Sequence, residues 1–338
     1  IHLFFFKPVL IEFGWTRATT SGAYSFSWLL SGFLGIVVGR LNDRFGPRII
    51  LLGCGLFLAS GYLLISQISA IWQLYLFYGV IIAIGLSGAY VPLVSTVARW
   101  FTKRRGLMTG IVLAGAAAGT VIMPPIANQL ITSYGWRTSY IVIGIINLVF
   151  IISAAQFLRR DPGQMGLFPY GESEAEQEGS SLKAGGFSLQ EAIHIKQFWM
   201  LCIMFLCSSV FVQAIMVHIV PHATDLAISA ASAASILAVI GGVSIVGRII
   251  MGSTADRIGN KLAITICFIM ISVALLWLLV ARELWMFYLF AAIFGFAYGG
   301  WAALSSLMVA ELFGLSSLGV ILGAVNFVAG IGEAAGPV

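Results

Sequence analysis

Gly39-Arg40-Leu41-Asn42-Asp43-Arg44-Phe45-Gly46-Pro47-Arg48 returns, 213 residues further on, as Gly252-Ser253-Thr254-Ala255-Asp256-Arg257-Ile258-Gly259-Asn260-Lys261. Both glycines, the Asp-Arg pair and the terminal base keep their places. The same offset carries Tyr75-Leu76-Phe77 onto Tyr288-Leu289-Phe290. One offset that matches two separated segments marks a duplicated architecture. The copies meet in the longest polar stretch, Arg159 to Gln197, where Gly171 to Ser181 is rich in Glu, Gly and Ser and reads as a flexible linker. The expected organisation is a helix bundle over residues 1–158, a linker over residues 159–197 and a second helix bundle over residues 198–338.

Around the repeat, the chain is 60% hydrophobic and 9% charged over 338 residues, with a mean hydropathy of +1.01. Lipid rather than water must solvate most of it. Apolar runs long enough to cross a bilayer as helices extend over Gly22 to Val38, Ile49 to Ile68, Trp72 to Val97, Leu107 to Leu130 and Ser139 to Leu158. They resume over Phe198 to Val220, Ala230 to Gly252, Leu262 to Val280 and Leu284 to Val309. Ile1 to Leu10 reads as the end of an earlier span, and a last one starts near Leu318. The expected fold is an all-α membrane protein of two pseudo-symmetric six-helix bundles, its first helix truncated and its twelfth missing from this chain.

Thirteen Lys and Arg residues fall on one side of these spans, among them Arg40, Arg44, Arg48, Lys103, Arg159 and Lys261. Lys7, Arg17, Arg137 and Arg282 fall on the other. That excess makes the first side, with the long central loop, cytoplasmic in a cell membrane, and the net charge of +5 reports topology rather than nucleic-acid binding. Cys54, Cys202, Cys207 and Cys267 all lie within spans and read as packing residues. Gly115-Ala116-Ala117-Ala118-Gly119 lacks the Lys-Ser/Thr pair of a nucleotide loop, and no His-Glu-x-x-His motif is present. The sequence thus calls for no cofactor and no metal, and an intramembrane enzyme or receptor is the less favoured class.

Gly39 to Arg48 resembles the signature that major facilitator proteins carry between their second and third helices, which implies the major facilitator fold. There the glycine allows close helix approach, and the Asp caps or pairs at a helix end, held by neighbouring Arg. Gly39, Asp43, Arg44, Asp256 and Arg257 are accordingly read as gating residues. Trp100-Phe101-Thr102-Lys103-Arg104-Arg105-Gly106-Leu107, followed by Gly110 and Ala114-Gly115, resembles the helix 4 to 5 signature of monocarboxylate transporters and their oxalate/formate antiporter relatives. Phe5-Phe6-Lys7-Pro8 with Glu12-Phe13-Gly14-Trp15 is similar to the end of the first helix in bacterial members.

Arg248 is the cation left inside a span, eight residues before Asp256 and so about 12 Å in from the helix end. A buried arginine facing a cavity marks an ion or substrate path, and its planar fork matches a carboxylate; a structural pairing is the other reading. The resemblance implies that this helix 8 arginine binds substrate. Those proteins often have an Asp four residues earlier, where this chain has Ser244. Tyr90, nine residues before Arg99, and Tyr298, thirteen before Glu311, fall near mid-membrane by helix rise and offer hydroxyls to a carboxylate, or pack in the core. Asn326, Gly330, Glu333 and Pro337 share one face of the last span, with Asn326 a candidate substrate contact.

Glu333 is a candidate proton carrier, because an acid in a low-dielectric slab readily trades charge for a proton; a headgroup-level acid is the alternative. His218, four residues before His222 across Pro221, is a second coupling candidate, with interfacial anchoring the alternative. On the oxalate/formate antiporter pattern a second buried cation would stand at Ala329. Its absence favours a single carboxylate. The expectation is a secondary active transporter of a small organic anion, a monocarboxylate, moved by proton symport or exchange against a counter-anion. The alternatives are an oxalate/formate-type antiporter or an efflux pump for hydrophobic compounds.

Overall fold

The structure, a computed structural model, describes residues 2–171 and 186–336. Residues 172–185, which include most of the Glu-, Gly- and Ser-rich stretch of the linker, lie outside the described residues, as does Pro337. The chain is helical almost throughout. The first set of helices is α1 (His2–Phe13), α2 (Arg17–Phe45), α3 (Pro47–Ile65), α4 (Ile71–Leu74), α5 (Ala83–Ser87), α6 (Val91–Trp100) and α7 (Arg105–Phe157). A π-helical stretch, Tyr75–Ile82, joins α4 to α5. After a 3-10 turn (Pro162–Met165) come α8 (Leu189–Ala192), α9 (Lys196–Asp225), α10 (Ala230–Ile258), α11 (Asn260–Leu278), α12 (Leu284–Phe313) and α13 (Leu318–Ala335). Among the described residues nine helical segments are long and apolar enough to cross a membrane.

Three departures from the sequence reading have physical causes. The span expected to stop at Val38 continues as helix to Phe45, so the Gly39 to Phe45 signature is the last two turns of α2 rather than a loop. Hydropathy marks where lipid ends; a helix ends where its ladder is broken. Gly46, at φ 85°, breaks it, donating to the Asn42 carbonyl before Pro47 opens α3. Its repeat mate Gly259, at φ 87°, does the same for α10. The run Trp72 to Val97 is one crossing but four stretches of ladder, α-helical, π-helical, α-helical over α5 and, after a break at Gly88 to Tyr90, α-helical again from Val91. Pro92 enforces that break, since it has no N–H to give to the turn before it. Finally, α7 contains both spans expected over Leu107 to Leu130 and Ser139 to Leu158, kinked at Gly135 with φ 77°.

Packing follows the duplication. In the second set α10, α11 and α12 bury Ile236, Ile240, Cys267, Phe287, Phe290 and Phe294 against one another at 3% exposure or less. In the first set α3 packs on α7, with Ile65, Ile82, Trp136, Tyr140 and Ile143 in one cluster. The two sets meet along two seams, α2 on α13 and α7 on α10. Even the ends of the spans repeat. The Tyr75 hydroxyl donates to the Thr19 carbonyl at 2.9 Å, and its mate Tyr288 bonds Ser235 Oγ at 2.7 Å. Ser235 is the repeat mate of Gly22, where a Cβ would run into the Tyr75 hydroxyl.

At the end remote from the Asp43 and Asp256 corners, Glu12 ties α1 to the kink in α7. Its carboxylate accepts from Arg137 Nη2 and from Trp136 Nε1, each at 2.6 Å, while Arg137 Nη1 donates to the Ser66 and Ile68 carbonyls. The Arg137 guanidinium also lies over the Trp136 ring at 4.4 Å. Hydrogen bonds from Arg137 and then Trp136 hold the Glu12 carboxyl below its ordinary value of 4.5. A depressed folded-state value stabilises above 4.5 and is lost as pH falls through it. Glu12→Gln is therefore expected to lower the thermal unfolding midpoint in detergent at neutral pH. The gap from the parent protein should close below pH 4.5; a gap that stays constant into acid would contradict the role given to this carboxylate.

Candidate functional site: two capped seams and the cavity between them

A helix start leaves backbone N–H groups without intrahelical partners, and a carboxylate placed there satisfies them and meets the positive end of the helix dipole. Asp43 of α2 occupies the start of α13 in this way, accepting from Gly319 N at 3.2 Å and Val320 N at 3.1 Å. Asp256 of α10 does the same for α7, accepting from Gly106 N at 2.7 Å and Leu107 N at 2.9 Å. Every member of one cap maps onto the other at the 213-residue offset. Beneath the caps the backbones touch: a Cβ on Gly39 would overlap the Gly319 carbonyl, and one on Gly106 the Gly252 carbonyl. One turn further in, Gly323 meets the Gly35 carbonyl and Gly110 meets the Arg248 carbonyl, again as repeat mates.

The caps differ in one respect. Arg99 of α6 donates to Asp43 at 3.0 Å and to the Leu315 carbonyl at 3.4 Å, in a pair whose side chains are only 12% and 13% exposed. The repeat mate of Arg99 is Leu312, so the Asp256 cap stands on its two backbone bonds. The arginine holding Asp43 is thus not the neighbouring Arg44 that the signature suggested. One residue along a helix is about 100° around it, and Arg44 points away, its guanidinium over the Phe45 ring at 5.1 Å. Arg257, its mate, is likewise exposed.

Between the seams lies a cavity of about 470 Å³. One face of α2 lines it with Trp28, Ser31, Gly32 and Gly35, residues spaced at helical periodicity. Ser87 and Tyr90 enter from the α5 to α6 break, and Phe205, Ser208 and Gln213 from α9. Opposite stand Tyr298, Trp301 and Ser305 of α12, with Asn326, Ala329, Gly330 and Glu333 of α13. Of the residues singled out from sequence, Tyr90, Tyr298, Asn326 and Glu333 therefore share one wall system. Tyr90 reaches it as the residue before Val91, and its hydroxyl lies within reach of Ser305 and Ser306 of α12. Asn326 donates to the Leu322 carbonyl of its own helix at 2.8 Å.

Arg248 is one layer behind that wall. It is 9% exposed, donates from Nη1 to Ser244 Oγ at 3.0 Å, and holds its guanidinium 5.8 Å from the centre of the Tyr298 ring. Its Nε is buried without a hydrogen-bond partner, and the described ion pairs are Arg99 with Asp43 and Arg137 with Glu12. His218 sits elsewhere, exposed on α9 and off the cavity face, because it is two residues on from Met216, which does line it. Sequence reasoning missed Trp28, Gln213 and Trp301. Gln213, an amide within an apolar span, carried a readable signal; the two tryptophans did not differ from lipid-facing ones. Among the described residues no group of His, Cys, Asp and Glu is placed to hold a metal.

Two helix sets related by one repeat, meeting at capped seams around a central cavity, define a multi-pass membrane transporter. The family profile described as Major Facilitator Superfamily matches residues 1–337, and the chain belongs to that family. The chain is 27% identical over 321 residues to the MFS-type transporter YhjX of Escherichia coli (strain K12), covering 92% of this chain and 76% of that protein. It is 28% identical over 330 residues to monocarboxylate transporter 12 of Rattus norvegicus, covering 88% of this chain and 65% of that one. The fold is that of the proton:xylose symporter XylE, with a TM-score of 0.73 and 12% identity over 97% of this chain and 81% of XylE.

The caps lead to a separable expectation. Asp43→Asn keeps an oxygen for the α13 N–H groups but gives up the charge that Arg99 and the helix dipole answer, an effect of roughly 1–2 kcal/mol. Transport rate should fall several-fold while ligand affinity stays within about a factor of two, as measured by turnover and by equilibrium binding. Equal losses in both would count against a gating role.

Proposed function

We propose that the chain carries a small organic anion, a monocarboxylate, through this cavity by alternating access of the sets 1–158 and 198–338 about their seams. The observation that carries the reading is Arg248. A guanidinium this buried, without a carboxylate partner among the described residues and with an unpaired Nε, is electrostatically incomplete until an anion arrives. Ser244 takes one N–H and leaves the charge uncancelled. The guanidinium lies 5.8 Å from the centre of the Tyr298 ring, and Tyr298 lines the cavity, so a carboxylate there engages the Tyr298 hydroxyl and, next to it, Arg248. Tyr90 and Asn326 supply further polar contacts from opposite walls.

Glu333 gives the coupling. It stands on the cavity wall within electrostatic range of Tyr298, so its charge opposes the entry of an anion and its protonation removes that opposition. A proton taken up with each anion is one consequence, and exchange against a second anion is the other. The resemblance to monocarboxylate transporter 12 supports the substrate class. The cation-rich face, where the caps lie, is read as cytoplasmic in a cell membrane by the same charge bias as before. Efflux of hydrophobic compounds is the second reading, favoured by the Trp28, Phe205, Tyr298 and Trp301 rings.

Uptake of labelled lactate, pyruvate, formate and oxalate into proteoliposomes, with and without a pH gradient, separates these readings. Arg248→Lys should insert normally yet bind lactate at least about tenfold more weakly, since a point charge replaces a fork and loses a charge-assisted bond worth about 1.5–3 kcal/mol. Unimpaired uptake by that variant would remove the arginine from the mechanism. Ala329, on the same wall and 8% exposed, is the place for a second cation. Oxalate should compete poorly with monocarboxylates in the parent protein, and Ala329→Lys should raise its affinity relative to lactate; oxalate outcompeting every monocarboxylate in the parent would reverse the single-cation argument.

A further inference from the structure

Arg248 and Gly35 are repeat mates, 213 residues apart, and they stand at equivalent points of the two seams. The carbonyl of each packs on a glycine of the facing helix, Gly110 for Arg248 and Gly323 for Gly35. Their side-chain positions are used in opposite ways. On the α10 side the position holds the long cationic chain. On the α2 side it holds nothing: Gly35 is buried, yet a Cβ built on it would meet no atom within 4 Å, because that direction opens into the cavity. Most other buried glycines of the seams differ, since a Cβ on Gly39, Gly106, Gly110, Gly319 or Gly323 would strike the opposing backbone. Close helix packing therefore explains those five and does not explain Gly35.

We propose that Gly35 is a specificity-determining residue, whose missing side chain makes the space in which the body of the carried acid lies opposite Arg248. The proposal rests on the carboxylate reading above and goes beyond it by assigning the other end of the substrate. With its carboxylate toward Arg248 and Tyr298, an acid must send its substituent toward α2, where Gly35, Gly32 and Ser31 present almost no bulk. From Gly35 to Trp28 that face runs about 10 Å, ending in the Trp28 ring on the same wall. A cavity of about 470 Å³ holds well over ten waters. Lactate, with six non-hydrogen atoms, leaves most of it wet, whereas a ring-bearing acid fills it and displaces water from apolar walls. The site so built favours monocarboxylates with an aromatic or comparably bulky apolar substituent over those with a methyl group.

The test compares lactate with phenyllactate, which share a head group and differ by a ring, on the full chain in detergent by titration calorimetry. The parent protein should bind phenyllactate more tightly than lactate. Gly35→Ala should weaken phenyllactate several-fold and Gly35→Val about tenfold or more, as one or two methyl groups in a filled pocket do, with lactate changed less than about threefold. A Cβ has open space there, so both variants should keep the parent's thermal unfolding midpoint, and Gly35→Ala serves if the valine is poorly folded. Binding of both acids by the parent, with the variants losing them in parallel or losing neither, overturns this inference alone. Failure of both acids to bind the parent overturns the carboxylate reading and this inference with it.

Discussion

Four backbone N–H groups, two at the start of α13 and two at the start of α7, have no partner within their own helices and find one only across the seam. Asp43 and Asp256 supply it, each from the last turns of a helix in the opposite set. Whatever else the molecule does must respect that arrangement. Parting the sets at this end strips two carboxylates and four N–H groups of their partners at once. The cost is recovered only if water or another protein group replaces them. The glycines beneath the caps are what let the carboxylates reach, since any side chain at Gly39 or Gly106 would hold the helices apart.

The same repeat that makes the seams alike leaves the cavity unlike on its two sides. Position by position, the second copy places a cation where the first has empty space, a tyrosine at 298 where the first has Gly85, and a leucine at 312 where the first has Arg99. Frame and contents have diverged separately. The frame retains backbone contacts and charge-capped helix starts, which depend on glycine and Asp at fixed spacing. The contents depend on side chains that the frame does not constrain. A binding site with one cationic end is therefore compatible with a nearly two-fold scaffold.

That division also explains which parts were legible in the sequence. Span number, the duplication and the class of fold followed from hydropathy and from one constant offset, because both are properties of many residues at once. The end of α2 was misplaced because Leu41 to Phe45 continue a helical ladder beyond the apolar run, and only the positive φ of Gly46 stops it. The π-helical stretch and the break before Pro92 were not legible either, because hydropathy counts apolar residues and not the ladder they form. Pairing across the fold was the least visible. Nothing in the order of residues chooses Arg99 over Arg44 as the partner of Asp43, and nothing sets Tyr298 beside Arg248. Those choices belong to tertiary packing.

The corners at Gly46 and Gly259 each spend a single residue between two long helices. A connection that short has no slack, so α2 with α3, and α10 with α11, behave as stiff levers hinged to nothing but their neighbours. Any tilt that lifts Asp43 off α13 must swing α3 as well, and α3 lies on the arm of α7 beyond the Gly135 kink, whereas Asp256 holds the arm before it. By that route motion at one latch reaches the other only through the kink. Compliance has to be found where the backbone is already irregular, and the one crossing in that set with a wide-turn ladder and a proline break is the Ile71–Trp100 segment that delivers Tyr90 to the cavity.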